Sequence, residues 1–109
     1  MQEATYLRFF VAENRRHHGR LAYEWLLDEA RRLGIRGGSA FRAIAGYGRH
    51  GVLHEARFIE LQGDLPVKLE FVVSPAEADA LLASLAEQRL NLFYVRFVVN
   101  TGVSGAAED

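Results

Sequence analysis

The sequence predicts an α+β fold in which strands and helices follow the order βαββαβ, with both helices on one face of a four-stranded antiparallel sheet. Three observations support this prediction. Four segments alternate between apolar and polar residues, two segments carry apolar residues at helical spacing, and a capping sequence marks the start of the second helix. The 109 residues suffice for one domain, with a core expected over residues 5–99 and a flexible tail over 100–109.

The spacing of apolar residues changes between the first strand and the first helix, from every second residue to every third or fourth. Residues 5–12 alternate, so that Leu7 and Arg8 lie on opposite faces of a strand. Gly34 is expected to end the helix that follows, since glycine readily adopts the left-handed conformation found after a last turn. Between them, after a polar turn over 13–19, apolar residues recur at intervals typical of a helix: Ala22, Trp25, Leu26, Ala30 and Leu33.

Two further strands flank a glycine-rich segment. Residues 39–45 are predicted to form the second strand, and residues 52–61 the start of the third, which resumes over 67–73 after a turn or bulge. Between them, GYGRHG at 46–51 matches the GxGxxG pattern of dinucleotide-binding turns. That turn opens a helix, whereas the residues after this segment alternate like a strand. We interpret it as a hairpin loop, whose glycines allow positive φ angles or also contact a ligand or partner.

The second helix has a well-marked start. Ser74 is placed at the N-cap, Pro75 at the first helical position, and Glu77 where it can bond back to the cap. The helix should end over residues 89–91, and the resulting order suits the ferredoxin-like architecture, with strand order 4-1-3-2. In the last strand, four apolar residues are expected to face the helices: Phe93, Val95, Phe97 and Val99.

Composition excludes several classes of function. The formal net charge of −1 gives no general attraction to nucleic acid, and the chain has no cysteine for disulfides or thiolate sites. The sequence shows neither a secretory signal pattern nor an apolar run long enough to span a membrane, so we expect a cytoplasmic protein. None of the serines has an evident partner base, so no catalytic residue is assigned and no enzymatic activity is expected.

Four short motifs follow one another along the chain. They are GIRGGS over 34–39, GYGR over 46–49, His54, and DLPVKLE over 64–70. Together they resemble the PII-like family of bacterial signalling proteins, in particular its uncharacterised branch, over residues 5–99. The resemblance implies a ferredoxin-like homotrimer that binds an adenine nucleotide in clefts between subunits. It also implies that the loop over 46–54 signals to a membrane transporter or an enzyme.

The resemblance assigns the ligand-binding residues. Glycines in the loop would allow close backbone approach, Arg49 would supply positive charge for a phosphate, and Lys68 is a second cationic candidate. PII proteins carry a second glycine-rich loop before the last strand, whereas this chain has residues 88–92 without glycine there, which favours a smaller or less phosphorylated ligand. The full predicted set is Gly38, Ser39, Gly46, Tyr47, Gly48, Arg49, His54 and Lys68.

A cluster of charges is expected on the face of the sheet opposite the helices. Alternation places Arg8, Lys68, Glu70 and Arg96 there, where they could form an anion site or an ion-pair network that fixes the register of assembly. Beside them we expect apolar side chains that a monomer would leave exposed, which favours a trimer. These are Tyr6, Phe10, Tyr94 and Val98.

Histidines suggest an alternative function. His17 and His18 lie in the first turn, and His50 and His54 lie in or near the glycine-rich loop. Imidazole groups bind zinc, copper or nickel, so a metal-binding or metal-responsive trimer is a second hypothesis. Adjacent histidines rarely bind one ion together, so the alternative of solvated or hydrogen-bonded histidines stays open.

Overall fold

A computed structural model of the chain describes residues 2–46 and 65–105. The larger sheet has four strands with antiparallel neighbours, in the order Ser39–Arg42, Pro66–Val73, Gln2–Ala12 and Phe93–Thr101, which confirms the predicted α+β class and strand order. The extended segment predicted over 52–61 lies outside the described residues. The elements are β1 Gln2–Ala12, β2 Arg16–His17, β3 Arg20–Leu21, α1 Ala22–Arg32, β4 Ser39–Arg42, β5 Pro66–Val73, α2 Pro75–Glu87 and β6 Phe93–Thr101.

The core lies between the sheet and the two helices. Leu7 and Phe9 of the central strand β1 are fully buried, and the Phe9 ring meets the Phe71 ring edge-on at 6.2 Å between centroids. Leu26 of α1 and Leu81 of α2 close this layer from the helix side. Such interlocking of large side chains from three elements fixes which face of the sheet the helices cover.

Helix α1 ends as its sequence predicts. Gly34 has a φ of +89°, and its N–H donates to the Arg31 carbonyl at 3.0 Å. The N–H of Ile35 donates to the Ala30 carbonyl at 3.0 Å, and Ile35 is itself buried. These two bonds form a Schellman motif, which satisfies carbonyls that a helix end would otherwise leave without partners.

Helix α2 begins with the predicted capping box. The Glu77 N–H donates to the Ser74 hydroxyl at 3.1 Å, and the Ser74 N–H donates to the Glu77 carboxylate at 2.9 Å. The helix ends in a second Schellman pair, with Arg89 in place of the usual glycine at a φ of +55°. A side chain at this position costs conformational energy that glycine avoids.

The orientation predicted for β6 is wrong. Tyr6 pairs with Phe97 and Leu7 pairs with Arg96, so Phe97 lies on the face opposite the helices and Arg96 on the helix side. There the Arg96 guanidinium donates to Asp79 of α2 at 2.8 Å. The predicted Phe93, Val95 and Val99 share the side of Phe97, whereas Tyr94 and Val98 lie on the helix side. Alternation could not set the orientation, because β6 carries large apolar side chains on both faces.

A small hairpin occupies much of the predicted first turn. Strands β2 and β3 are joined by His18 and Gly19, whose φ angles are +52° and +77°. Two successive positive φ angles are typical of the type I′ turn that joins tight hairpins. None of the helices in the described part of the chain is long and apolar enough to cross a membrane.

Candidate functional site

The side of the larger sheet that faces away from α1 and α2 is called the outer face here. Along β1 and β5 the outer residues alternate with buried core residues, and all of them keep some exposure. Four large apolar side chains on this face are 41–53% exposed, which is unusual for adjoining apolar groups in a monomer. They are Phe41, Val72, Phe93 and Phe97.

Polar groups gather in the middle of the outer face. The Tyr6 hydroxyl donates to the Glu70 carboxylate, and the Arg8 guanidinium donates to the Tyr6 hydroxyl through Nε at 3.1 Å and Nη2 at 3.0 Å. The Lys68 ammonium lies 3.6 Å from the same Glu70 oxygen. Tyr6, Arg8, Lys68 and Glu70 are called the central cluster below. The structure thus brings Arg8, Lys68 and Glu70 together on the outer face, whereas Arg96, the fourth residue expected there, lies on the other face.

The central cluster carries a net positive charge. The hydrogen bond from Tyr6 lowers the pKa of Glu70, and the positive charges of Lys68 and Arg8 lower it further. Burial raises the pKa of Tyr6, and its bond to Glu70 raises it too. At neutral pH the cluster therefore contains two cations, one carboxylate and a neutral phenol. The resulting charge of about +1 attracts an anion.

Strand β4 places two more residues beside this cluster. Ser39 is paired with Glu70 and Phe41 with Lys68 in the sheet register. The Lys68 ammonium lies 4.9 Å from the centroid of the Phe41 ring, within the range of a cation–π contact. The structure thus brings the predicted ligand residues Ser39 and Lys68 next to the charged groups of the outer face.

Gly38 has a structural role of its own. A Cβ atom built on Gly38 would lie 2.4 Å from Cε1 of Phe71, whose ring belongs to the core on the opposite face. Only glycine allows β4 to start this close to the Phe71 ring. Gly38 therefore positions the chain that leads into Ser39.

The predicted loop residues are separated from Ser39 along the sheet. Gly46 lies beside Pro66, because a Cβ built on it would be 3.9 Å from Cγ of Pro66. Pro66 is four residues from Glu70 along β5, roughly 13 Å at the usual rise of a strand. Gly46 therefore lies toward the opposite end of β5 from Ser39. The other predicted loop residues, Tyr47, Gly48, Arg49 and His54, lie outside the described residues.

The first connection and the segment after α2 meet at the end of the sheet where Gly46 lies. His18 and Gln88 are joined by a side-chain hydrogen bond of 2.9 Å, and the Arg15 guanidinium donates to the Asn91 carbonyl at 2.9 Å. Where PII proteins carry a second glycine-rich loop, this chain therefore has a turn bonded to the first connection.

The described residues provide no cluster of side chains that could bind a metal ion. The His17 ring packs 4.1 Å from the His18 ring and 4.6 Å from the Trp25 ring, measured between centroids. No cluster of three or more metal-binding side chains occurs among residues 2–46 and 65–105. His50 and His54 lie outside those ranges, so the four-histidine hypothesis stays a prediction.

Two members of the site were missed from the sequence alone. Tyr6 was placed on the outer face, but its bond to Glu70 depends on the register between β1 and β5. Phe41 carried no signal beyond its place in a strand, and its contact with Lys68 depends on the pairing of β4 with β5.

The chain matches a protein family over nearly its whole length. The model of DUF190, described as "Uncharacterized ACR, COG1993", matches residues 4–100. A UPF0166 protein of Methanocaldococcus jannaschii is 31% identical over 87 residues, which cover 80% of each chain. A UPF0166 protein of Aquifex aeolicus is 36% identical over 66 residues, covering 61% of this chain and 63% of the relative, less than two thirds of its length.

Solved structures with a similar fold include PII-like proteins. A PII-like signalling protein of Thermus thermophilus aligns with a TM-score of 0.57 at 25% identity, covering 92% of this chain and 88% of that one. CPII of Thiomonas intermedia, bound to ADP, AMP and acetate, aligns with a TM-score of 0.62 at 16% identity, covering 94% and 91%. CPII bound to ADP, AMP and bicarbonate aligns with a TM-score of 0.57 at 19% identity, covering 88% and 89%.

Proposed function

The chain belongs to the DUF190 family, and we propose that it is a PII-like regulatory protein that binds a small anionic effector. The effector is an adenine nucleotide, held in clefts between the subunits of a homotrimer. The observation that carries this proposal is the positive central cluster, set in a largely apolar sheet face beside Ser39. The likeness of the fold to CPII, a protein bound to ADP and AMP, supports the choice of nucleotide.

Assembly follows from the composition of the outer face. Its exposed phenylalanine side chains would be covered if copies of the chain packed face against face. Lys68 lies over Phe41 near the sheet edge, so a cleft at this edge would offer a cation and an aromatic ring together. A nucleotide can use both groups, since its phosphate pairs with a cation and its base packs on apolar surface.

The glycine-rich loop would transmit the signal. Its first residue, Gly46, lies beside Pro66, and the Ala43 N–H donates to the Pro66 carbonyl at 2.9 Å. Pro66 lies on the same strand, β5, as Lys68 and Glu70 of the central cluster. An effector bound at these two residues therefore contacts the strand that begins beside Gly46. If the effector binds one conformation of the loop more tightly than another, it shifts the loop toward that conformation. This shift would change how residues 46–54 contact a transporter or an enzyme. Tyr47, Gly48, Arg49 and His54 are the proposed contacts within that loop.

Calorimetric titration with AMP, ADP and ATP tests the nucleotide proposal. We expect saturable binding to the wild-type protein and at least tenfold weaker binding to Lys68→Gln, about 1.4 kcal/mol for the loss of a charge-assisted contact. Arg16→Gln is the matched control, since Arg16 bonds the carbonyl of Gly19 in the small hairpin. Absence of binding heat with all three nucleotides would contradict the proposal.

A further inference from the structure

A groove lies on the helix side of the sheet, away from the outer face. It runs between α1 and the segment that leads into β4, has a volume of about 360 Å³, and is floored by the Phe71 ring. Phe71 points to the opposite side of β5 from Glu70 and Val72, so this groove is separate from the central cluster. We call it the α1 groove, and its main lining residues are Leu27, Arg31, Ile35, Arg36, Gly37 and Phe71.

The floor of the α1 groove is apolar and its rim is cationic. Ile35 and Phe71 are buried and Leu27 is half-buried, whereas Arg31 and Arg36 are exposed at the rim. Among residues 2–46 and 65–105, neither guanidinium has an ion pair or a side-chain hydrogen bond. Two cations above an apolar floor fit a ligand with an anionic head and an apolar body.

The acidic residue of the lining does not cancel this charge. The carboxylate of Asp28 is held by Arg20 at 2.5 Å, and Arg20 belongs to the small hairpin outside the groove. The two rim arginines therefore face the groove without a counter-ion from the described chain. A carboxylate ligand would supply it, since a planar guanidinium can donate two parallel hydrogen bonds to one carboxylate.

The backbone at the end of α1 opposes an anion only weakly. The last carbonyls of α1 would repel one, but those of Ala30 and Arg31 already accept the N–H groups of Ile35 and Gly34. The attraction for an anion therefore comes from the side chains of Arg31 and Arg36.

Two neighbouring glycines line the α1 groove. A Cβ atom built on Gly37 would have no other atom within 4 Å, so the space beside its backbone is clear. Its neighbour Gly38 has the opposite environment, because the Phe71 ring fills the space of a Cβ. The two glycines thus have different roles: Gly38 lets the ring form the floor, and Gly37 leaves room above it.

From this geometry we propose that the α1 groove binds a small carboxylate with an apolar body, such as an arylalkanoate. The carboxylate lies between Arg31 and Arg36, and the apolar part packs on Phe71. This site is additional to the proposed nucleotide site and lies on the other side of the sheet.

An NMR titration with 3-phenylpropionate as the probe tests the proposal. We expect saturable shifts of the Gly37 and Gly38 amide signals, with a dissociation constant on the order of 1 mM, as befits so small a ligand. The neutral 3-phenylpropionamide should bind at least tenfold more weakly, since it lacks the charge. Shifts that are absent, confined to the outer face, or equal for the acid and the amide would overturn the proposal.

Two variants test separately the positive charge of the arginines and the open space of the α1 groove. Arg31→Gln combined with Arg36→Gln should weaken binding of the acid at least tenfold, and Gly37→Val should do so by filling the groove with both cations retained. Arg89→Gln, which removes an exposed arginine after α2, is the control and should bind like the wild type. Unchanged affinity in both test variants would refute the site.

A saturating concentration of AMP should leave the affinity for 3-phenylpropionate unchanged, because the two ligands occupy opposite faces. The outcome for the α1 groove is therefore separable from the outcome for the nucleotide. Competition between the two ligands would mean that the probe binds the nucleotide cleft, and would overturn the proposal of a distinct site.

Discussion

Replacing Glu29 by glutamine should destabilise the protein in a way that depends on pH. Glu29 lies between the helices with only 11% of its side chain exposed, and its carboxylate accepts two bonds from the Arg32 guanidinium, at 2.8 Å and 2.6 Å. It also accepts a bond from the hydroxyl of Ser84 on α2. The Arg32 bonds and the Ser84 bond together lower the pKa of Glu29 from 4.5 to about 2. The carboxylate therefore ties α1 to α2 in its ionised form.

The magnitude follows from the shift in pKa. A shift of this size corresponds to at most about 3.4 kcal/mol of stability. Arg32 is 67% exposed, so solvent screening reduces the figure, and we expect roughly 1–2 kcal/mol. Because the pKa in the folded state lies below that in the unfolded state, this stability is present above pH 4.5. It is lost as the pH falls from 4.5 toward 2.

Urea unfolding of the wild type and Glu29→Gln at pH 7 and pH 3 measures the effect. Glu29→Gln should be less stable at pH 7, and the difference between the two proteins should shrink by more than half at pH 3. Glu3→Gln, which changes an exposed glutamate on β1, is the control and should follow the wild type at both values. Equal stabilities of wild type and Glu29→Gln at pH 7, or a difference that persists unchanged at pH 3, would refute the reasoning.

Three further predictions concern packing and assembly. Arg89→Gly should raise the free energy of unfolding by about 1 kcal/mol, because glycine adopts the positive φ of this helix end without strain; an unchanged melting temperature would contradict this. Gly38→Ala should destabilise the fold by about 1–3 kcal/mol in urea unfolding, because its Cβ meets the Phe71 ring, while Gly37→Ala should be tolerated far better. Phe97→Asp should convert a trimer of 12.2 kDa chains into monomers in light scattering, whereas a wild type already monomeric would disprove the assembly.

The sequence predicted those parts of the fold that local rules determine. The start of α2 depends on Ser74 and Glu77 alone, and the end of α1 depends on Gly34, so both were predictable from neighbouring residues. The alternation of β1 and β5 was readable because one face of each is core and the other is not.

The parts that sequence reasoning missed depend on distant contacts. Within the central cluster, the bond from Tyr6 to Glu70 depends on the register of β1 against β5, which no local rule supplies. Gly38 was predicted to contact a ligand, and its close approach to the Phe71 ring depends on how β4 packs beside β5. The α1 groove was not foreseen, because its cations belong to a helix end and a connection that only the fold brings together.

The error in β6 points to what this strand does. β6 is an edge strand, and apolar side chains are exposed on both of its faces, with Phe93 and Phe97 on the outer face and Tyr94 and Val98 on the helix side. Soluble proteins commonly protect an edge strand with charged side chains, whereas the one charged residue of β6, Arg96, is bonded to Asp79 of α2. Apolar side chains on both faces made the alternation of β6 uninformative. They are also what we expect of a strand that another copy of the chain covers. We therefore expect the subunit cleft of the proposed homotrimer to include β6 of one protomer, so that disrupting β6 weakens effector binding together with assembly.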